Sequence, residues 1–336
     1  MKLWMKFLAV ALGLSLFGWF VHRAGWRDIV ATFDQLGPWL PVLLIPYLFV
    51  YQLDTLGWRF AFATKEQRPP FLTLLRIRWA GEAVNSIVPT GYVGGEAIKA
   101  WLLHRRRFPL LEATTSVVVS KTAQVTAQVV FIAIGAGLAV ALLPAGSPGR
   151  FGFAVIAVLT MGVLGALFWI QSRGLFSIVR TVSARLHFRK LEEKEAQLRK
   201  LDDQIFGFYR KHPGSFAASG MTYLAGWLID PLELFIASNL LGFPMDYGTA
   251  LVIESSISIA KALGFFVPGA LGVQESSVWL GFGLFGFTEP QAIAYAILRR
   301  GREVIYAAVG AALLYAEGLS LRGLGARAQA ETPPLS

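Results

Sequence analysis

The chain contains no cysteine, which excludes disulfides, thiolate metal ligands and cysteine nucleophiles. Charge is scarce as well: Asp, Glu, Lys and Arg make up 15% of the residues, against about 25% in soluble domains. The four histidines, His22, His104, His187 and His212, have no metal-ligand spacing, and neither a G-x-S-x-G elbow nor a Walker A loop occurs. Gly91, Gly94 and Gly95 make no dinucleotide fingerprint, because no strand and soluble βαβ unit surround them. Thiol, metal, serine-hydrolase and ATP-driven chemistry all lack their residues, and no cofactor or metal is expected.

Apolar side chain is what the chain has in excess: of 336 residues 55% are hydrophobic and 13% aromatic, with a mean hydropathy of +0.54. The apolar runs are roughly 19 to 32 residues long, enough for helices to cross a hydrocarbon layer of about 30 Å, and the alternation of an outer-membrane barrel is missing. The fold class is therefore an all-α polytopic membrane protein. About six transmembrane helices plus two re-entrant broken-helix hairpins in an inverted repeat are expected.

Residues 1–37 hold a first span at 3–21 and an external loop. The run could serve as a signal peptide, but no small-residue cleavage site follows Gly18, so it is read as a retained span. Repeat 1, residues 38–143, has a span near 38–56, a Pro/Gly-broken hairpin at 71–103 open to the cytoplasm, and a long span at 112–143. Residues 144–214 add a returning span at 151–171 and a basic linker at 173–211, where ten Lys/Arg face five Asp/Glu. That linker reads as a surface helix attracted to anionic headgroups, or equally as a solvated linker. Repeat 2, residues 215–318, has a span at 215–241, a second hairpin at 248–286 open to the outside, and a span at 290–316. A disordered tail is expected at 319–336.

The distribution of cations fixes the orientation. Of the 31 Lys and Arg, 22 fall in segments this topology makes cytoplasmic, 3 in external loops and 6 at membrane depth. Such asymmetry places both termini in the cytoplasm of a bacterial cell with the chain in its inner membrane. The net charge of +10 thus reflects topology rather than nucleic-acid binding.

Two stretches carry the chemistry. Val88-Pro89-Thr90-Gly91-Tyr92-Val93-Gly94-Gly95-Glu96 reappears in altered form as Val267-Pro268-Gly269-Ala270-Leu271-Gly272-Val273-Gln274-Glu275. In each, Pro is followed seven residues later by Glu, and each Glu is followed 25 residues later by a cation, Lys121 or Arg300. Both cations sit roughly 14–16 Å into their helices, near the bilayer centre. A cation at that depth costs about 2.5–3.5 kcal/mol on insertion scales, so Arg299, Arg300 and Arg302 need compensation, some of it from Glu303.

One reading makes these residues a midplane site for an anionic group. Helix N-termini at Gly94, Gly95 and Gly272 would attract it, Lys121, Arg299 and Arg300 would neutralise it, and Asn85, Thr90, Gln124, Glu96, Glu275 and Glu303 would complete a hydrated groove. Another reading makes the cations partners in a structural network with Glu82, Glu96, Glu254, Glu275 and Glu303, and the glycines packing residues. Asp54, Asp230 and Glu233 stand as candidate proton or ion couplers, and Asp230 before Pro231 is also a candidate cap of a helix break.

The segments Gly81-Glu82-Ala83-Val84-Asn85-Ser86-Ile87-Val88-Pro89 and Gly94-Gly95-Glu96-Ala97-Ile98-Lys99-Ala100, with their second-half counterparts from Ala250 to Glu275, resemble the membrane region of the lysylphosphatidylglycerol synthase/flippase-like family. Leu298-Arg299-Arg300-Gly301-Arg302-Glu303 is similar to its hopanoid-biosynthesis-associated branch, while the first half fits the general flippase pattern. In bifunctional members of that family a soluble aminoacyl-transferase domain follows the membrane region. The sequence ends where that domain would start, so the resemblance implies lipid translocation without lipid aminoacylation.

The expected function is a membrane lipid transporter, not an enzyme, with membrane lipids as substrate and as partners of the basic linker, and no nucleic acid. An intramembrane headgroup transferase with Glu96 or Glu275 as base, and a hopanoid-pathway scaffold, are the alternatives. A homo-oligomer or a biosynthetic enzyme partner stays open.

Overall fold

The computed structural model describes residues 36–64, 68–87, 93–173, 195–264, 267 and 270–318, with isolated positions between 18 and 34. The expected span at 3–21 (Gly18 apart), residues 174–194 of the basic linker, the hairpin tips with Pro89, Thr90 and Pro268, and the tail from 319 lie outside the described residues.

Among the described residues all regular structure is helical. A 3-10 segment, Gly37–Leu44, leads into α1, Ile45–Phe60. Helices α2 (Phe71–Ile87) and α3 (Val93–Arg105) flank the first hairpin tip, followed by α4 (Leu110–Leu142) and α5 (Pro148–Arg173). Then come α6 (Glu195–Lys211), α7 (Pro213–Ile229) and α8 (Pro231–Leu240). Helices α9 (Tyr247–Leu263) and α10 (Val273–Leu284) flank the second tip, and α11 (Glu289–Ala316) closes the order.

Local chemistry sets several of these boundaries. Proline sits in the first turn of α1, α7, α8 and α11, where its missing N–H removes no helical bond. Asp246 caps α9, accepting from the Thr249 N–H at 3.0 Å and its hydroxyl at 2.7 Å. Those hydrogen bonds hold the Asp246 carboxyl below the usual carboxylate range. At α11 the Thr288 N–H donates to Gln291 Oε1 at 2.8 Å, half of a capping box.

Among the described residues three helical stretches are long and apolar enough to cross a membrane by length and composition: Gly37–Phe60, Leu110–Leu142 and Pro148–Ala166. The span expected at 215–241 is instead two helices, because Pro231 has no N–H to continue the ladder of α7. Helix α11 is 28 residues long, but Arg299, Arg300, Arg302 and Glu303 interrupt its apolar middle. Exposed Phe151, Val158, Leu159 and Met161 give α5 the apolar surface that acyl chains, not water, would cover.

The two halves hold each other through crossed pairs. Helix α1 packs on α7, α4 packs on α9, and α11 packs on α2. The last helix of each half thus lies against the first hairpin helix of the other. Both crossings depend on a glycine: a Cβ on Gly135 would lie 2.1 Å from Ser255 Oγ, and one on Gly310 would lie 2.5 Å from the Trp79 carbonyl oxygen. Small residues let helix backbones approach where no hydrophobic force drives association. Helix α6 docks on α4 by burying Ile205 and Phe208, with Thr115 donating to Gln204 Oε1 at 2.9 Å, while Arg199, Lys200, Arg210 and Lys211 stay exposed.

Candidate functional site

Charge inside this fold is gathered into two networks, one per half. Network one joins α1 to α4. Arg78 Nη2 on α2 donates to Asp54 Oδ2 on α1 at 2.5 Å and stands 3.7 Å from Glu82 Oε1. Lys99 Nζ on α3 donates to Glu82 Oε1 at 2.7 Å and to Glu96 Oε1 at 3.0 Å. Lys121 Nζ on α4 is 3.7 Å from Glu96 Oε1 and donates to Gln124 Oε1 at 3.1 Å. Three carboxylates face three cations, so the set is balanced.

Exposure separates the three cations. The side chains of Lys99 and Arg78 are 4% and 5% exposed, that of Lys121 37%. Lys121, Gln124, Glu96, Lys99, Arg78 and Tyr223 line a polar cavity of ≈ 10 Å³, room for about one water. The Tyr223 hydroxyl of α7 is fixed there by Ser120 at 2.5 Å. Lys121 is the most accessible cation of this cavity.

The first hairpin closes on glycine. The Gly95 N–H donates to Asn85 Oδ1 at 2.8 Å, and a Cβ on Gly95 would lie 2.2 Å from the Gly81 carbonyl oxygen. Gly95 is therefore where α3 crosses α2, and its N–H is already engaged.

Network two joins α7 to α11. Arg299 Nη1 donates to Glu254 Oε1 at 2.5 Å and to the Tyr295 hydroxyl at 3.0 Å, and that hydroxyl donates to the same Glu254 oxygen at 2.5 Å. Arg302 Nη1 donates to Glu233 Oε2 and lies 3.4 Å from Asp230 Oδ1. The Arg302 guanidinium sits 3.7 Å from the centroid of the Tyr47 ring, a cation–π contact that links α11 to α1. Arg300 donates to Glu275 Oε1, to Glu303 Oε2 at 2.6 Å and to the Ala270 carbonyl at 3.2 Å. Lys261 Nζ stands 3.6 Å from Glu303 Oε1.

At the second hairpin Gly272 takes φ 77°, a left-handed conformation natural to glycine, and its N–H donates to Glu275 Oε2 at 2.8 Å. Glu275 thus neutralises the N-terminus of its own helix and binds Arg300 with its other oxygen.

The networks are built on one plan. A single shift of numbering carries Pro89, Glu96, Lys121 and Gln124 onto Pro268, Glu275, Arg300 and Glu303. In both, the hairpin glutamate meets the cation 25 residues on, and that cation bonds the side chain three residues further. Stacked Trp79 and Tyr306, 5.5 Å between centroids, together with Tyr51, fill the space where α1, α2 and α11 meet.

Of the residues expected at one midplane site, the structure gathers Asn85, Gly95, Glu96, Lys121 and Gln124 around the first hairpin. It gathers Gly272, Glu275, Arg299, Arg300 and Glu303 around the second. Lys121 and Arg300 are each tied to the glutamate of their own hairpin. Gly94 lies next to Gly95 at the start of α3, and Thr90 is outside the described residues. Arg78, counted with the cytoplasmic loop, is instead two turns into α2 and 4% exposed. Lys99, Tyr223, Tyr295 and Tyr47 also escaped selection. Lys99 carried a local signal in its i,i+3 spacing from Glu96, whereas the tyrosines reach the networks only through tertiary contact. Among the described residues no three His, Asp or Glu side chains converge as a metal ion would need.

Comparison with known proteins adds one finding. The family model described as lysylphosphatidylglycerol synthase TM region matches residues 6–310. No curated protein matches the chain.

Proposed function

We propose, from the premise that the chain belongs to the lysylphosphatidylglycerol synthase transmembrane-region family, that it carries an amphipathic lipid with an anionic or phosphate-bearing headgroup between bilayer leaflets. The observation that supports this most is Lys121: a cation 37% exposed, beside a polar cavity, on a 33-residue apolar helix. A headgroup phosphate entering from the bilayer would meet Lys121 first, with Gln124 as a further hydrogen-bond partner, while its acyl chains stay in the hydrocarbon. Lys121 meets Glu96 only at 3.7 Å, so an anion would share Lys121 with Glu96 and leave the buried Lys99 bonds unbroken.

Two hairpins inserted from opposite faces, in halves of inverted orientation, would let the polar path open to either leaflet in turn. The crossed packing of α4 on α9 and α11 on α2 suits such an exchange, since each half is braced on the other's hairpin. On this reading the protein is a transporter in the cytoplasmic membrane with both termini inside, and its partners are lipids. The test is purified protein in liposomes bearing headgroup-labelled phosphatidylglycerol. Accelerated passage of the label between leaflets is expected, and a rate equal to that of empty liposomes contradicts the proposal.

A further inference from the structure

The deepest part of network two is unbalanced. Asp230, Glu233 and Glu254 have side chains 10%, 1% and 1% exposed, and the cations facing them are Arg299 and Arg302, each 2% exposed. Three carboxylates meet two guanidinium groups. The remaining members do not correct this, because Glu275 and Glu303 are matched by Arg300 and Lys261 towards the more open end, where Glu303 is 23% and Lys261 31% exposed. An uncompensated carboxylate sealed from water is strongly disfavoured, and such a group neutralises itself by binding a proton.

The hydrogen bonds single out which carboxyl does so. Glu254 Oε1 accepts from both Arg299 and the Tyr295 hydroxyl, the bonding of an ionised group. Asp230 stands between both arginines, 3.4 Å from Arg302 Nη1 and 3.8 Å from Arg299 Nη2. Glu233 accepts from Arg302 through Oε2 alone. Its Oε1 is buried with no hydrogen-bond partner, the one carboxylate oxygen so placed among the described residues. We infer that Glu233 is a proton-binding site, with one exchangeable proton on Oε1 that brings the Asp230–Glu233–Glu254 group into balance with Arg299 and Arg302.

Among the described residues, the groups that face Glu233 on α8 come from the helices around it. Helix α11 presents Arg299, Arg302 and Tyr295, α9 presents Glu254, α1 presents Tyr47, and the α7–α8 break presents Asp230. No second arginine or lysine of the described residues stands within ion-pair distance of Glu233. A metal ion in place of the proton lacks the converging ligands it needs. Asp230, one turn earlier and the most exposed of the three acids, is the acceptor through which the proton would exchange with water. The site is independent of lipid transport.

The test is infrared spectroscopy of the full-length protein in phosphatidylglycerol-containing nanodiscs, with carbon-13 in the glutamate carboxyls only. At neutral pH the wild type should show a protonated-carboxyl band that moves with the label and in heavy water. Glu233→Gln should lose that band and Asp230→Asn should keep it. If Glu233→Gln does not fold, Glu233→Asp decides, because an unlabelled aspartic acid takes the signal out of the labelled set. Absence of a labelled protonated band in the wild type, or its survival in the Glu233 variants, overturns the assignment.

Discussion

Replacing Lys121 and Lys99 separately by alanine divides the function of network one from its stability. Lys99 is 4% exposed and donates to two glutamates at 2.7 and 3.0 Å. Its loss strands buried carboxylates, at a cost of about 3–5 kcal/mol, a large share of the roughly 5–15 kcal/mol that holds a domain folded. Lys121 is 37% exposed and its ion pair is 3.7 Å long, so its loss should cost no more than about 1 kcal/mol. If a headgroup phosphate binds Lys121 by a charge-assisted hydrogen bond of about 1.5–3 kcal/mol, Lys121→Ala should weaken handling of an anionic lipid by about ten- to a hundred-fold. Thermal melting in detergent and headgroup-labelled lipid passage in liposomes read the two quantities. Lys121→Ala should melt like wild type and transport poorly, while Lys99→Ala should melt far lower. A Lys121→Ala protein that moves phosphatidylglycerol at the wild-type rate refutes the reasoning, and so does one destabilised as much as Lys99→Ala.

Other consequences are as direct. Gly95→Ala and Gly310→Ala force a Cβ to within 2.2 and 2.5 Å of a facing carbonyl oxygen, so each should lose about 1–3 kcal/mol to overpacking. Gly137→Ala on α4 meets nothing within 4 Å and should melt no lower than wild type. Asp246→Ala removes the α9 cap and should cost about 1 kcal/mol. Because the folded Asp246 carboxyl titrates below its unfolded value, the cap's contribution is complete above the unfolded pKa and fades as pH falls through the folded one. The melting difference between Asp246→Ala and wild type should therefore shrink on acidification. The absence of cysteine gives a clean background for labelling: at the exposed feet of the hairpins, His104→Cys should react with an impermeant maleimide from the cytoplasmic side and Thr288→Cys from outside. Labelling of both from one side contradicts the opposed hairpins.

What could be read from the sequence followed from local rules. Pro/Gly interruption marked the breaks between α2 and α3 and between α9 and α10, because broken backbone needs those residue types wherever it occurs. The 25-residue spacing from Glu96 to Lys121 and from Glu275 to Arg300 became an ion pair in each half, since it joins the start of a hairpin helix to the middle of the helix that packs beside it. What could not be read depends on tertiary contact. Asp54 meets Arg78, Glu233 meets Arg302 and Ser120 meets Tyr223 across helix interfaces that no local pattern marks. Counting Lys and Arg around apolar runs assigned Arg78 to a loop, although α2 begins at Phe71 and carries it inward. The ion partners of the deep arginines were hidden for a related reason: each lies close to a carboxylate from another helix, Asp54 of α1 for Arg78 and the acids of α8, α9 and α10 for Arg302, Arg299 and Arg300.

The central claim is that the exposed Lys121 ammonium receives a lipid headgroup. A cryo-electron microscopy map of the protein in phosphatidylglycerol nanodiscs tests it most directly. The account predicts a headgroup phosphate bonded to Lys121 Nζ at about 2.8 Å, with Gln124 beside it. Ordered headgroups elsewhere on the protein, with Lys121 still turned to Glu96 and Gln124, would contradict it.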